Sequence, residues 1–278
     1  MGKYFAIVTC RNSELIIEQS LFSLKNQTLK PEYVIVIDDG STDKTAEILK
    51  KIKNDWDDLH IITNPDLGYD IGRVVNNWNK ALKLVSDKNL KKTDYHMISA
   101  DDDVYEENYA KKIVTYMDAD PKLAIVSGIF NDGKFQDPTG GGRFVRNSFF
   151  ISKYRYYPER MGYESAVLYI ALRDGYKHDV LREARFRHIR EIGSEHHFYE
   201  FGAGMRTLGY NPLFVFGRFF ANFVRGKPVS RRGSLNMLYY YLTFSPTKSG
   251  YNSMYDKGIR DYIRKVQTER IKKIFRKI

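Results

Sequence analysis

Five short apolar runs alternate with amphipathic stretches through the first half of the chain, and that alternation leaves few architectures open. Residues 4–9, 33–37, 60–63, 95–100 and 123–126 are strand-like. Residues 14–24, the stretch beginning at Asp43, and residues 74–85 and 109–117 have helical spacing. Leu15, Ile16, Ser20 and Leu24 mark one face of the first helix, and Ala46, Leu49 and Ile52 one face of the second. Such alternation predicts a mostly parallel sheet with helices on both faces. Ligands of these sheets bind beyond the carboxyl ends of the strands. Asp38, Asp39 and the run Asp101, Asp102, Asp103 all follow strand ends, so the pattern gathers carboxylates in one crevice.

Three adjacent carboxylates repel one another, and aspartate suits neither strands nor helix interiors. Two readings of the triplet stand side by side. It is a solvated loop whose last aspartate caps the next helix, or it holds a divalent cation. Hard oxygen ligands favour magnesium or manganese, with open positions for a substrate phosphate. The segment VIVIDDGSTDKT, residues 34–45, is the second informative feature. A strand ends in two carboxylates, Gly40 allows a tight turn, and Ser41, Thr42 or Asp43 can cap the next helix. Capping requires one acidic residue. The second can accept hydrogen bonds from the N–H of a uracil or guanine ring, or from ribose hydroxyls.

The 278 residues suffice for one large domain, or a domain with a tail. The single cysteine, Cys10, excludes a disulfide framework and a cysteine-rich zinc site. The first residues enter a strand directly, so no secretory signal is expected. Ala6 stands where a myristoylation motif has Ser or Thr. No stretch reaches the roughly 18 apolar residues of a membrane span. The nearest, residues 213–224, contains Arg218 and Asn222. The net charge of +11 attracts phosphates without choosing among nucleotides, lipid headgroups and nucleic acid.

The second half is less regular. Residues 131–147 contain Gly140, Gly141 and Gly142 and read as a mobile loop. Residues 165–173 form a helix that stops before Gly175. Residues 257–278 place Ile259, Ile263, Val266, Ile271, Ile274 and Ile278 roughly on one face, amid nine basic and two acidic residues. That helix either packs on the domain or, with the basic aromatic stretch before it, docks on an anionic membrane.

The segment QSLFSLKNQTLKPEYVIVIDDGSTDKTAEIL resembles the N-terminal signature of family 2 glycosyltransferases, and the likeness covers about the first 190 residues. It implies the GT-A fold, an α/β Rossmann-like, mostly parallel sheet with helices on both faces. Residues 1–212 would be the catalytic domain, with a nucleotide-binding half to about residue 127 and an acceptor-binding half at 128–212. Residues 213–278 would be a basic, aromatic, helical extension. The resemblance further implies sugar transfer from a UDP- or GDP-linked donor to a glycan or lipid-linked acceptor, usually with inversion, assisted by Mn2+ or Mg2+.

Carried over by position, Thr9, Arg11 and Asn12 match the stretch lining the base, and Arg11 replaces the usual aromatic residue. Asp39 matches the carboxylate that contacts the base. Arg73, followed by Asn79-Lys80-Ala81, resembles the basic residue that reaches the base or diphosphate. Asp101 and Asp102 match the Asp-x-Asp-type motif, with Ser99 where many members have the first aspartate. Asp101 is then the ribose contact and Asp102 the metal ligand, with Asp103 and His188 as further ligands. His188 rests on the similarity of Phe186-Arg187-His188 to the family's downstream histidine. GYESAVLYIALRDGYK, residues 162–177, resembles the acidic segment before a helix, which makes Glu164 the catalytic base; Ser165 replaces the second acid of the usual pair. On local sequence alone Glu164 also reads as a first-turn acid favoured by the helix dipole.

The implied setting is cytoplasmic, with a peripheral position at the inner membrane face as a second option through the C-terminal extension. Three other readings compete. A polyprenyl-phosphate glycosyltransferase shares the donor site but needs no base. A basic nucleotide- or nucleic-acid-binding protein fits the charge, but no nucleic-acid motif is present and the strand-end carboxylates would repel phosphate, so a nucleic-acid partner is not expected. A GT-A fold that only binds nucleotide is the third.

Overall fold

A computed structural model describes residues 1–88, 90–131, 133, 136–190, 198–226 and 229–275, with the side chains of Ile274 and Phe275 left aside. The chain forms two compact units. The first comprises residues 1–157 and 175–190, the second residues 158–174 and 191–278.

The first unit follows the predicted alternation: β1 (Tyr4–Cys10), α1 (Ile17–Lys25), β2 (Val34–Asp38), α2 (Thr45–Asn54), β3 (Leu59–Thr63), α3 (Arg73–Asp87) and β4 (Tyr95–Ala100). Strands β1 and β2 are buried along almost their whole length, as strands covered on both faces must be. Strand β1 pairs in parallel with β2 and β4, with Cys10 opposite Asp38 and Thr9 opposite Ala100. That register brings the carboxyl ends of three strands level. Asp43 Oδ1 accepts from the backbone N–H of Thr45, the first residue of the second helix, at 2.9 Å.

Next come β5 (Asp103–Tyr105), α4 (Tyr109–Ala119), β6 (Leu123–Phe130), β7 (Arg143–Arg146), α5 (Asn147–Phe150) and, after α6 of the second unit (Tyr163–Arg173), β8 (Lys177–His188). The eight-stranded sheet of the described residues runs β3-β2-β1-β4-β7-β6-β8-β5. Strands β5 and β7 are antiparallel to their neighbours.

Three of these strands depart from the sequence reading. Residues 143–146, expected in a mobile loop, form β7 between β4 and β6. The strand is disguised by Arg143, which is fully buried and donates to the carbonyls of Thr139 and Pro138. Residues 132, 134 and 135 of that expected loop lie outside the described residues. Strand β8 is hidden by its charged residues, since much of its length is exposed. Asp103, expected in a loop, begins β5 and pairs with His188.

The Gln27-Thr28 pair of the signature is structural. Gln27 donates to the carbonyls of Ser23 and Glu106 and accepts from Ala110 N–H, and Thr28 N–H donates to Glu107. Together they tie the end of α1 to the turn before α4.

The second unit contains α6, α7 (Tyr199–Thr207), α8 (Pro212–Arg225), α9 (Arg231–Thr243) and α10 (Lys257–Phe275). Ala166 and Tyr169 of α6 share one apolar core with Met205, Val215, Met237, Tyr241, Ile259 and Ile263. Helix α10 therefore packs its apolar face inward. Gln267, fully buried, accepts from Asn211 N–H at 2.8 Å. The expected contributions of Ile274 and Ile278 lie outside the described side chains.

Candidate functional site

At the carboxyl edge of the first unit, the loop after β1 and the turn after β2 hold each other. Asn12, in the left-handed region at φ 49°, accepts from Thr42 N–H and donates its own N–H to Ser41 Oγ. Arg11 donates to the carbonyls of Asp39 and Gly40 and pairs with Asp66 at 2.7 Å. Gly40 has φ +72°, and a Cβ there would lie 2.6 Å from the Pro65 carbonyl. Arg11 and Asn12 thus shape this corner through the backbone. Two buried oxygens in it, Thr9 Oγ1 and Asp38 Oδ2, have no hydrogen-bond partner among the described residues.

Asp39 is nearly buried and accepts from Arg73, whose Nη2 stands 3.0 Å away, and from Asn64 Nδ2 at 2.9 Å. Burial alone would raise its pKa. The hydrogen bonds from Arg73 and Asn64 outweigh burial and hold the carboxyl below its ordinary value. Lys80 closes the network on Asn64 Oδ1 at 2.7 Å.

The triplet after β4 is buried: Asp101, Asp102 and Asp103 are 5%, 3% and 0% exposed. This excludes a solvated loop. Protein groups offset part of the repulsion. Asp101 accepts from Ser13 Oγ and pairs with Arg190 at 2.9 Å. Asp103 meets His188 Nδ1 at 2.8 Å, and its other oxygen accepts from Tyr105 Oη and Ala100 N–H, each at 3.0 Å. His188 Nε2 lies 3.4 Å from Asp102 Oδ2. Burial, and then the neighbouring Asp103 and Asp101 charges, push Asp102 up to about 6 against the pull of His188. Burial would lower the His188 pKa, but the Asp103 hydrogen bond and the aspartate charges raise it.

Among the described residues, the ion pairs of the three carboxylates are with Arg190 and His188. One ligand atom each from Asp102, Asp103 and His188 falls within 4.8 Å of the others, a spacing and a donor set that fit a divalent cation. The glycine loop closes on this group. A Cβ on Gly141 would lie 2.3 Å from Asp103 Oδ2.

The first unit therefore brings together every predicted residue but one. Glu164 belongs to the second unit, in the first turn of α6 after Gly162, which has φ +82°. It lines a cavity of about 110 Å3 with Tyr163, Ser165, Glu200 and Arg218. Glu200 accepts from Tyr251 Oη, and its charge, with that of Glu164, adds to the burial that raises the Tyr251 pKa.

Sequence reasoning missed Ser13, Asn64, Glu200 and Tyr251. Ser13 adjoins two predicted residues, so its signal was present. Glu200 and Tyr251 carry no local motif.

A family model described as glycosyl transferase family 2 matches residues 5–185. An uncharacterized glycosyltransferase of Haemophilus influenzae is 35% identical over 112 residues, which is 40% of this chain and 32% of that protein. A poly-beta-1,6-N-acetyl-D-glucosamine synthase of Staphylococcus aureus is 29% identical over 122 residues, 44% of this chain and 27% of that protein. The matches thus span a third or less of these relatives' own lengths. Among solved structures, S. aureus TarS 1-349 in complex with UDP aligns with TM-score 0.54 and 21% identity, over 73% of this chain and 63% of that one. The mannosyltransferase PcManGT from Pyrobaculum calidifontis, in complex with GDP-Man and Mn2+, aligns with TM-score 0.61 and 16% identity, over 87% of this chain and 70% of that one.

Proposed function

The chain belongs to glycosyl transferase family 2 and is a glycosyltransferase of GT-A fold, and on that premise we propose that it moves a sugar from a UDP- or GDP-linked donor to an acceptor hydroxyl, with inversion and with Mn2+ or Mg2+. The observation that carries this reading is the buried Asp102–Asp103–His188 group, joined through Asp101 and Ser13 to the loop of Arg11 and Asn12. The ligands of the structural neighbours, UDP and GDP-Man with Mn2+, support the donor class and the ion.

In this reading Asp39 accepts from an N–H of the base. Arg73 and Asn64 keep it ionised, so it is an acceptor across the neutral range. Thr9 and Asp38 stand at the adjoining strand ends, where Thr9 would line the base. Asp101 meets the ribose. Asp102, Asp103 and His188 would hold the cation, and Asp103 also fixes the His188 ring through Nδ1. A cation held there would supply Lewis-acid stabilisation of the leaving diphosphate. Arg190, beside Asp101, adds positive charge at the same place. Glu164 takes the proton from the acceptor hydroxyl. The acceptor oxygen then bonds to the anomeric carbon from the face opposite the departing nucleoside diphosphate. The acceptor is a glycan or a lipid-linked sugar, and the reaction is placed at the cytoplasm, where a lipid-linked acceptor would require peripheral membrane contact.

The test is turnover of UDP- and GDP-linked sugars, followed by nucleoside diphosphate release. Release with one base, stopped by EDTA and by Glu164→Gln, supports the assignment. Release that ignores both contradicts it, and indifference to Glu164→Gln alone favours an acceptor already ionised, such as a polyprenyl phosphate.

A further inference from the structure

Helices α8 and α9 pack against each other, and each sends its buried side into the core of the second unit. Val215 of α8, and Met237 and Tyr241 of α9, serve that purpose. A helix with its core face so placed ordinarily turns polar residues outward. These two do not. On α8, Leu213, Phe216, Phe220 and Val224 follow helical spacing and are 39 to 75% exposed. On α9, Leu235, Tyr239 and Leu242 do the same at 51 to 60%. Rows of exposed apolar side chains on two packed helices mark an interaction face.

The charge around the face selects what covers it. Between Glu200 and Asp256 there is no acidic residue, and there are seven basic ones. Arg225 ends α8, and Arg231 and Arg232 begin α9; all three are exposed. Two copies of so basic a face would repel each other, whereas an anionic surface would attract it. Helices of 14 and 13 residues are too short to cross a bilayer, and no described helix is long and apolar enough to do so. Aromatic and aliphatic side chains beside arginines suit a helix lying in the headgroup region.

We propose that α8 and α9 form a monotopic docking face for an anionic phospholipid bilayer. The face lies on these two helices and not on α10, whose apolar side is packed. Arg218 projects from α8 into the cavity that holds Glu164. Arg218 lies on the core side of α8 near Val215, so the cavity and the docking row occupy opposite sides of that helix.

The test is co-sedimentation of the full chain with phosphatidylcholine vesicles, with and without phosphatidylglycerol. The protein should sediment with the anionic vesicles only, and added NaCl should release it. Phe220→Ser with Val224→Ser should weaken binding roughly tenfold or more, because each exchange removes apolar surface from the lipid. Arg231→Glu with Arg232→Glu should weaken it similarly without touching the apolar face. All four positions lie outside the core, so unchanged near-UV circular dichroism is expected. Equal partition to both vesicle types, no partition to either, or indifference to both double variants would overturn the proposal. So would a dimer in solution that Phe220→Ser with Val224→Ser dissociates. Nucleotide binding, measured on the same preparations, bears only on the transferase reading.

Discussion

His96 should make the protein acid-sensitive in a way that can be isolated. It sits on β4, fully buried. Asn147 donates through Nδ2 to both oxygens of Thr93, so its Oδ1 accepts from His96 Nδ1, at 2.7 Å. His96 Nε2 then accepts from Tyr157 Oη, also at 2.7 Å. The ring is held as one neutral tautomer, and burial lowers its pKa to about 4. Above the unfolded value of 6.5 the ring is neutral in both states and pH has no effect through it. As pH falls below 6.5, only the unfolded chain takes the proton, so stability is lost until the folded pKa is passed. Linkage gives a loss of about 1.4 kcal/mol at about pH 5.5 and about 2.6 kcal/mol at about pH 4.5. The assay is urea unfolding at several pH values for the wild type and His96→Gln. The variant should be less stable at neutral pH, by about 1–3 kcal/mol for the disturbed hydrogen bonds. The gap should close as pH falls, because carboxylates titrate alike in both proteins. Parallel stability curves down to about pH 4.5 would refute the reasoning.

Glu164→Gln should cut transfer by about 10²–10⁴-fold while nucleotide affinity stays unchanged, and normal turnover would remove Glu164 as the base. Asp39→Asn keeps the side-chain shape but loses the charged acceptor. Nucleotide affinity should fall by about 10–100-fold, the worth of a hydrogen bond to a charged group; unchanged affinity would place the base elsewhere. Gly141→Ala drives a Cβ into Asp103 Oδ2. Thermal unfolding should show a loss of about 1–3 kcal/mol as the hydrogen bonds of Asp103 to Ala100 and Tyr105 are displaced, and the thermal shift produced by manganese should shrink; a wild-type melting curve would contradict this packing.

The parallel half of the fold was legible because buried strands and amphipathic helices write their periods into sequence. Strands β5, β7 and β8 were not, because pairing partners far along the chain decide them. Arg143 reads as a loop residue until the carbonyls of Pro138 and Thr139 surround it. The aspartates at the strand ends could be found from position alone. What offsets their charge is not written locally: His188 was placed there by the family resemblance alone, and Arg190 and His188 reach the aspartates across more than 80 residues. Glu200 and Tyr251 are likewise hidden, because no local pattern links either of them to Glu164. The apolar run of 213–224 was visible, but sequence alone could not show which of its side chains the core leaves outside.

The most direct test of the central claim is calorimetric titration of UDP and GDP into the protein, first with manganese and then with EDTA. The account predicts that one of the two binds, that EDTA weakens the binding, and that Asp102→Asn removes the effect of the metal. Binding of neither nucleotide under either condition would contradict it.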